Sequence, residues 1–269
     1  MTIAGLKYSN KIISERGHIW KFIFFINVDW NKVHIPFLPN CKDITDLNGQ
    51  IRDLLSRNLN AWVVTVNTDV HRQLTLLKSN KEIELIEAVG IKTADGFPIK
   101  AISNYLEPEG YERLTGSDLI IDLIPLCSEL GIPIYIGGGE NGEARRAKKK
   151  IESSMCGVSI YALDVPFGSV ELVTLFLKTN IQLDRYALFL GLGTPKQELV
   201  LANLYTSSNG CIFLGCGAGI SYQSGSKRRS PRWIQKINME WLFRFLHEPR
   251  RLGKRYFVED IRHIIKLST

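Results

Sequence analysis

Asp95 directly follows an apolar segment and directly precedes Gly96, a placement that suits a general base. A catalytic base needs a carboxylate whose pKa is raised modestly by partly apolar surroundings, and a following glycine leaves room for a ligand. The same two residues also form a common type of turn that binds nothing. Asp95 is therefore a candidate catalytic residue, with an Asp-Gly turn as the alternative.

Thr65 and Asn67 lie at the end of another apolar segment, residues 61–65. If the strand continues, both side chains project to the same side and offer a hydroxyl and an amide to the hydroxyl groups of a sugar. Ligands of α/β sheets bind at the carboxyl ends of strands, where these two residues are expected. A Thr/Asn turn without a ligand is the alternative.

The glycine-rich loop at residues 137–142 follows an apolar segment and precedes a helical pattern. It fits the dinucleotide fingerprint GxGxxG, with Asp164 about twenty residues further along the chain. Glycines such as Gly137 and Gly138 let backbone N–H groups approach a phosphate, and the start of a helix adds positive potential. The loop predicts a phosphate or nucleotide site, with a tight turn that binds nothing as the alternative.

Two further groups of polar residues lie next to predicted helix starts. One of these helices has its N-cap predicted at Ser117 or Asp118. The other follows residues 193–198, whose amide and carboxylate side chains suit a uracil edge or ribose hydroxyls, with a capped helix start as the alternative. The candidate substrate-binding residues here are Arg113, Thr115, Lys196, Gln197 and Glu198, together with Gly215 of a second glycine-rich strand end.

Several motifs of other enzyme classes are absent from the sequence. It has no Asp-x-Asp, the metal clamp of many nucleotide-sugar transferases, and no HExxH, GxSxG or GxxxxGKS/T. The five histidines form no ligand spacing, and the five cysteines include no CxxC pair. No metal and no cofactor are therefore expected. Cysteines with apolar neighbours indicate reduced core thiols and a cytoplasmic protein.

The candidate residues are carried by apolar segments that alternate with helical patterns. The predicted strands cover residues 61–65, 83–88, 132–136, 158–163, 186–190 and 211–214. The predicted helices begin near Asp46 and continue at residues 70–77, 119–130 and 143–153. Because short strands that alternate with helices indicate βαβ units, the predicted fold class is α/β, with a Rossmann-like, mainly parallel sheet flanked by helices.

The positive charge of the chain, +7 in total, is concentrated near its C-terminal end. Residues 225–269 contain twelve Lys or Arg and four acidic residues, whereas the remainder is nearly neutral. Two amphipathic helices separated at Pro249 are predicted there. The predicted domains are an N-terminal extension of residues 1–45, an α/β catalytic domain of residues 46–225 and a basic helical appendage of residues 226–269.

A basic segment with interleaved apolar residues favours an anionic membrane surface or a diphosphate as its partner. A solvated surface without a partner is the alternative, and a nucleic acid is not expected because the motifs of nucleic-acid-binding proteins are absent. The apolar stretch 19–27 is interrupted by Lys21 and is far shorter than the ~20 residues of a membrane span. Contact with a membrane is therefore expected from outside the bilayer.

Taken together, the motifs resemble the WecG/TagA/CpsF glycosyltransferases, glycosyltransferase family 26, over residues 60–269. In the predicted catalytic domain the matching elements are Thr65-x-Asn67, Ala94-Asp-Gly96, Arg113-x-Thr-Gly-x-Asp118, Gly137-Gly138, Gly193-x-Pro-Lys-Gln-Glu198 and Gly215-x-Gly217. In the appendage they are Ser230-Pro-x-Trp233, Glu240-Trp-Leu-x-Arg244, Glu248-Pro-x-Arg251 and Arg255-Tyr256. The chain departs from the family at Ser230, where alanine is usual, and residues 1–45 match poorly.

The resemblance implies an inverting, metal-independent transfer of a sugar such as N-acetylmannosamine. The implied donor is a UDP-sugar, and the implied acceptor is a polyprenyl-diphosphate-linked sugar of cell-surface polysaccharide synthesis. Asp95 is then the base, Thr65 and Asn67 belong to the catalytic site, and residues 195–198 lie near the nucleotide. The appendage is expected to dock on the inner face of the bacterial membrane and to close over the active site. Its candidates for diphosphate binding are Arg244, Arg251 and Arg255.

Two further points stay open at the level of sequence. An NAD-dependent oxidoreductase built on residues 137–142 is the alternative function, although the loop lies in the middle of the chain and no Tyr-x-x-x-Lys follows it. A homo-oligomer is compatible with the sequence, which does not determine the oligomeric state.

Overall fold

Six strands form one sheet in which every neighbouring pair runs parallel. A computed structural model describes residues 36–77, 80–106, 110–155, 157 and 159–267. In chain order the strands are β1 (Ala61–Val66), β2 (Ile91–Ala94), β3 (Ile134–Gly138), β4 (Ile160–Leu163), β5 (Ala187–Gly191) and β6 (Ile212–Gly215). Their spatial order is β2-β1-β6-β5-β3-β4, which confirms the predicted Rossmann-like α/β class.

The sheet is covered on both faces, and for that reason its strands are nearly continuous apolar runs. All six residues of β1 are buried. Trp62 and Val64 belong to the hydrophobic cluster on one face of the sheet, whereas Ala61 and Val63 belong to the cluster on the other. The alternation of side chains along a strand therefore supplies two cores from one sequence segment.

Ten helices of the described residues precede residue 225, and most of them connect successive strands. They are α1 (Ile44–Ser56), α2 (Thr68–Leu76), α3 (Lys81–Val89), α4 (Phe97–Leu106), α5 (Gly116–Asp122), α6 (Ile124–Glu129), α7 (Glu143–Ser154), α8 (Val170–Asn180), α9 (Lys196–Tyr205) and α10 (Gly219–Ser224). Several start at side-chain caps that the sequence supplies. At α8, for example, the Ser169 hydroxyl accepts a hydrogen bond from the Leu172 N–H.

The segment 83–88 is helical, so its prediction as a strand is wrong. It lies in α3, where Ile83 and Ile86 are three residues apart and face the core. The side chain of Asn80 accepts a hydrogen bond from the Glu82 N–H at 2.9 Å and starts the helix. The strand in this region is β2, which begins at Ile91, directly after the helix. The predicted helix 119–130 is in fact two helices, α5 and α6, which meet at Leu123.

The predicted N-terminal extension lies largely outside the described residues, as do Cys156 and Val158. The part that is described is packed against the outer edge of the sheet. Cys41 forms a parallel bridge with Thr93 of β2, and the side-chain oxygen of Asn40 accepts the Lys92 N–H at 2.6 Å. This pairing covers the edge of β2 and places the strand end that carries Asp95 inside the protein.

The C-terminal segment folds into more elements than the two helices predicted for it. It comprises α11 (Arg232–Lys236), α12 (Glu240–His247), α13 (Pro249–Lys254), a π-helical turn (Arg255–Asp260) and α14 (Ile261–Leu267). The predicted break near Pro249 is present between α12 and α13. We call residues 226–267 the appendage. No helix among the described residues is long and apolar enough to cross a bilayer.

The appendage is attached to helix α2 of the core by buried polar contacts. His263 of α14 and His71 of α2 approach to 2.8 Å between ring nitrogens, and the second ring nitrogen of His71 lies 2.8 Å from the Pro36 carbonyl oxygen. Because a carbonyl can only accept, His71 donates to Pro36 and accepts from His263. Arg72 adds an ion pair to Glu259 at 2.9 Å. These contacts hold the appendage over the ends of β1 and β2.

Candidate functional site

A cavity of about 260 Å³ lies at the carboxyl ends of β1 and β2, between the core and the appendage. Parallel strands bring their carboxyl ends to one edge of a sheet, which is where α/β proteins bind ligands. Five of the residues predicted from sequence line this cavity: Asn67, Asp95, Arg113, Arg244 and Arg255. The remaining candidates do not line it: Thr65, Thr115, Gly137, Gly138, Lys196, Gln197, Glu198, Gly215 and Arg251.

Asp95 follows the last residue of β2, and its backbone N–H donates to the Val66 carbonyl oxygen at 2.9 Å. Asp95 is partly buried and lines the cavity. Burial raises the pKa of Asp95 to about 6; the charge of Arg113 opposes this rise and that of Glu240 adds to it. A carboxylate with such a pKa accepts a proton near neutral pH more readily than an exposed one, as general-base catalysis requires.

Asn67 connects the ends of β1 and β2. Its Oδ1 accepts the Val70 N–H at 3.0 Å and caps helix α2. Its side chain also hydrogen-bonds to the carboxylate of Asp95, and since Oδ1 is used by the cap, the amide N–H is the donor. Thr65 lies behind this pair, where its buried hydroxyl donates to the Gly215 carbonyl oxygen at 3.4 Å and links β1 to β6. Asn67 thus orients Asp95 directly.

Two arginines face Asp95 in different ways. Arg113, which precedes α5, forms a 3.1 Å ion pair with Glu240 of the appendage, and both side chains are largely buried. Arg244, one turn after Glu240 on α12, has no carboxylate within ion-pair distance in the described part of the chain. Asp95 and Glu240 act on it only as nearby charges. The guanidinium of Arg244 therefore lines the cavity without an ion pair to any described carboxylate.

Arg255 and Arg251 have different surroundings although both were predicted to bind a diphosphate. Arg255 lines the cavity and pairs with Asp69 at 3.3 Å, while Asp260 lies 3.8 Å away. Arg251 is 55% exposed and forms an ion pair with Glu248 on the outside of the appendage. Only Arg255 of these two is placed to reach a ligand in the cavity.

The glycine loop 137–142 lies where the strand order reverses, because β3 leads to β4 on one side and β5 leads to β6 on the other. Its glycines are explained by backbone packing: a Cβ on Gly138 would lie 2.4 Å from the Gly191 carbonyl oxygen. The start of helix α7 already has a negative charge beside it, since the Glu143 carboxylate accepts the Glu140 N–H at 3.2 Å. Phosphate binding by Gly137 and Gly138 stays a prediction.

Lys196, Gln197 and Glu198 form the first turn of α9. Lys196 donates to the Gly168 carbonyl oxygen and lies over the Phe167 ring, 5.4 Å from its centre. Gln197 is buried, accepts the Gly217 N–H at 3.1 Å and donates to Glu198 at 2.8 Å. Burial raises the pKa of Glu198 to about 7, and its second carboxylate oxygen has no partner within the described residues.

The N-cap of α5 is Thr115, so its prediction at Ser117 or Asp118 is wrong. The Thr115 hydroxyl accepts the Asp118 N–H at 3.2 Å and donates to the Asp118 carboxylate at 2.8 Å. Arg229 of the appendage forms a bidentate pair with the same carboxylate. Thr115 and Asp118 therefore form an anchor point for the start of the appendage.

Sequence reasoning assigned no role to several residues that line the cavity: Asp69, Phe97, Glu240, Trp241, Tyr256 and Asp260. Glu240, Trp241 and Tyr256 lie in motifs that carry the family resemblance, and this was the available signal. Asp69 and Asp260 have no signal of their own, because their role depends on the contact between α2 and the π-helical turn.

A parallel α/β sheet with a carboxylate at its strand ends, in a cavity lined by three arginines, suits transfer of a group from a phosphate-bearing substrate. The chain belongs to the WecG/TagA/CpsF family of glycosyl transferases, whose family model matches residues 37–269. It is therefore a glycosyltransferase that acts on a sugar donor and an acceptor, in a family of cell-surface polysaccharide synthesis. The alternative of an NAD-dependent oxidoreductase is not supported.

The close approach of β3 and β5 at Gly138 can be tested by the effect of a substitution on the stability of the protein. Gly138→Ala is expected to lower the free energy of unfolding by about 2–4 kcal/mol, the combined cost of a positive φ and of displacing the neighbouring strand. Gly110→Ala is the matched control, because Gly110 also has a positive φ but a Cβ there meets no atom of the described residues within 4 Å. Denaturant unfolding measures both. An equal loss in the two variants would show that strand packing does not require glycine at position 138.

Proposed function

We propose that this chain transfers a hexose derivative such as N-acetylmannosamine from a UDP-sugar to a polyprenyl-diphosphate-linked sugar, with inversion and without a metal ion. The observation that carries the proposal is Asp95, a carboxylate of raised pKa at the edge of a cavity that also holds Asn67 and three arginines. The absence of an Asp-x-Asp motif supports a metal-independent reaction.

In the proposed reaction the acceptor hydroxyl gives its proton to the Asp95 carboxylate. The resulting oxygen attacks the anomeric carbon from the face opposite UDP, and the bond between that carbon and the diphosphate oxygen breaks. Asn67 holds the carboxylate in place through its amide group. Inversion follows because the new bond forms opposite the departing group.

The departing diphosphate requires positive charge, which the protein itself must supply in this proposal. Arg244 is the best placed group, because it lines the cavity and forms no ion pair with a carboxylate of the described residues. Arg113 and Arg255 line the same cavity but are paired with Glu240 and Asp69. A bidentate guanidinium matches the oxygens of a diphosphate better than an ammonium group does.

The location proposed for the enzyme is the inner face of the bacterial membrane, with the appendage in contact with anionic lipid. Nine of the twelve basic residues of the appendage are exposed. Several large apolar side chains of the appendage are exposed as well: Trp233, Ile237, Leu246, Phe257 and Val258. Basic and apolar groups together bind the surface of an anionic bilayer. Such a position brings the cavity to a lipid-linked acceptor.

Replacement of Asp95 tests its role as the base. Asp95→Asn keeps the shape and removes the proton acceptor, so kcat is expected to fall by about 10²–10⁴-fold. In the wild type, kcat/KM is expected to fall as the pH drops below about 6, because protonated Asp95 cannot accept a proton. Asp164→Asn is the control, since Asp164 lies outside the cavity and pairs with Arg145. Near-normal turnover by Asp95→Asn with intact UDP-sugar binding would falsify the assignment.

Conservative arginine variants test the diphosphate contact. Arg244→Lys keeps the charge but loses the planar fork, so kcat/KM is expected to fall by about tenfold or more. Arg251→Lys is the matched control, and it is expected to behave like the wild type because Arg251 is on the outside of the appendage. Steady-state kinetics with both substrates distinguishes them. Equal activities of the two variants would exclude bidentate recognition by Arg244.

Exposed apolar residues of the appendage test the membrane contact. The double variant Trp233→Ser, Leu246→Ser is expected to bind vesicles that contain an anionic phospholipid at least tenfold more weakly. Each large apolar side chain that is buried in the bilayer surface contributes about 1.5–3 kcal/mol to the free energy of binding. The control Phe167→Ser, Leu175→Ser removes two large apolar side chains that are also exposed but belong to the core domain. A sedimentation assay measures both variants. Unchanged binding of the first, or equal loss in both, would contradict the proposed orientation.

A further inference from the structure

Glu240 is a carboxylate inside the cavity to which the proposed reaction assigns no step. It is the first residue of α12, and its side chain is 13% exposed. Its Oε2 lies 3.1 Å from Nη1 of Arg113. Because Arg113 belongs to the core and Glu240 to the appendage, this ion pair crosses the boundary between them. A buried carboxylate costs solvation free energy, so its presence beside Asp95 requires an explanation.

The ion pair determines where the positive charge of Arg113 is held. Among the charges around Asp95, Arg113 has the largest effect, and it lowers the pKa of that carboxyl. An arginine that paired directly with Asp95 would stabilise the ionised form and make it a poor base. Glu240 engages Arg113 instead and adds its own negative charge to the surroundings of Asp95, which favours the protonated form.

Charged and titratable groups face the cavity from several of the elements around it, whereas α4 and α14 contribute only apolar residues to its lining. Helix α2 contributes Asp69, the segment before α5 contributes Arg113, helix α12 contributes Glu240 and Arg244, and the π-helical turn contributes Arg255, Tyr256 and Asp260. Of these groups, Arg113, Glu240 and Arg244 are the charges that shift the pKa of Asp95. Glu240 is the only one of these three with a negative charge, so it alone can offset the two arginines.

We propose that Glu240 is a positioning residue that holds Arg113 away from Asp95 and thereby keeps Asp95 competent to accept a proton. The inference rests on the role proposed above for Asp95. Since Glu240 is part of the appendage, Asp95 has this property only while the appendage is docked on the core. In the undocked protein Arg113 loses its Glu240 partner, and its charge then acts on Asp95 without the opposing charge of Glu240.

The test is the pH dependence of kcat/KM in Glu240→Gln, which keeps the size of the side chain and removes its charge. The acid limb is expected to move down by about half to one pH unit, and activity at neutral pH to fall about three- to tenfold, because a weaker base transfers protons less well. Glu240→Asp, which restores the charge, is expected to move the limb back toward the wild type. Glu248→Gln is the matched control. Glu248 also belongs to the appendage, but it is not among the charges that shift the pKa of Asp95.

A measurement without turnover separates this inference from the proposed reaction. The pKa of Asp95 is obtained from the pH titration of its carboxyl ¹³C resonance in the full chain, assigned by its absence in Asp95→Asn. A lower value in Glu240→Gln than in Glu248→Gln is expected whether or not the variants are active. Equal values in the two variants overturn the role of Glu240. Normal activity of Asp95→Asn defeats the proposed reaction but leaves this measurement unaffected.

Discussion

Removing the Asp95 carboxylate from water costs solvation free energy, and the groups around it have to offset that cost without neutralising the carboxylate permanently. Full compensation by a directly paired arginine would hold it ionised and unreactive, whereas burial without compensation would hold it protonated. The protein lies between these limits, with an amide donor from Asn67, two arginines at a distance and the opposing charge of Glu240. The pKa of about 6 expresses this balance.

The balance depends on two parts of the chain that are far apart in sequence. Strands β1 and β2 bring Asn67 and Asp95 together, since their parallel pairing continues to Val66 and Ala94. The opposite wall of the cavity comes from the appendage. The appendage is held by the contact between His263 and His71 of α2 and by the contact between Arg229 and Asp118. An undocked appendage would open one wall of the cavity and hydrate the carboxylate.

Basic residues of the appendage fall into two groups by direction. Nine are exposed and suited to an anionic surface, whereas Arg229, Arg244 and Arg255 are directed inward. The inward three differ in their partners: a carboxylate of α5 for Arg229, a carboxylate of α2 for Arg255 and none within ion-pair distance for Arg244 among the described residues. The appendage thus combines an exposed basic surface, attachments to the core and a guanidinium that lines the cavity.

The sequence alone determined the fold class and the existence of a basic appendage, because both depend on local composition and periodicity. The apolar run of β1 and the amphipathic pattern of α12 are local properties of this kind. It also predicted the positions of Asp95 and Asn67 at strand ends, which can be located once the strands are recognised. The segment 83–88 was wrongly predicted because its few apolar residues fit both the periodicity of a helix and that of a strand. The helix cap at Asn80 decides in favour of the helix.

Only the tertiary structure decided which charged residues meet. Arg251 and Arg255 are both basic residues of one short segment, yet the π-helical turn directs Arg255 to the cavity while Arg251 remains outside. The glycines at 137 and 138 fit a phosphate-binding loop in sequence. In the structure, β5 lies so close to Gly138 that a side chain there would clash with it. The role of Glu240 likewise depends on Arg113, which lies 127 residues away in the chain. Contacts of this kind follow from packing between elements, which local sequence patterns do not encode.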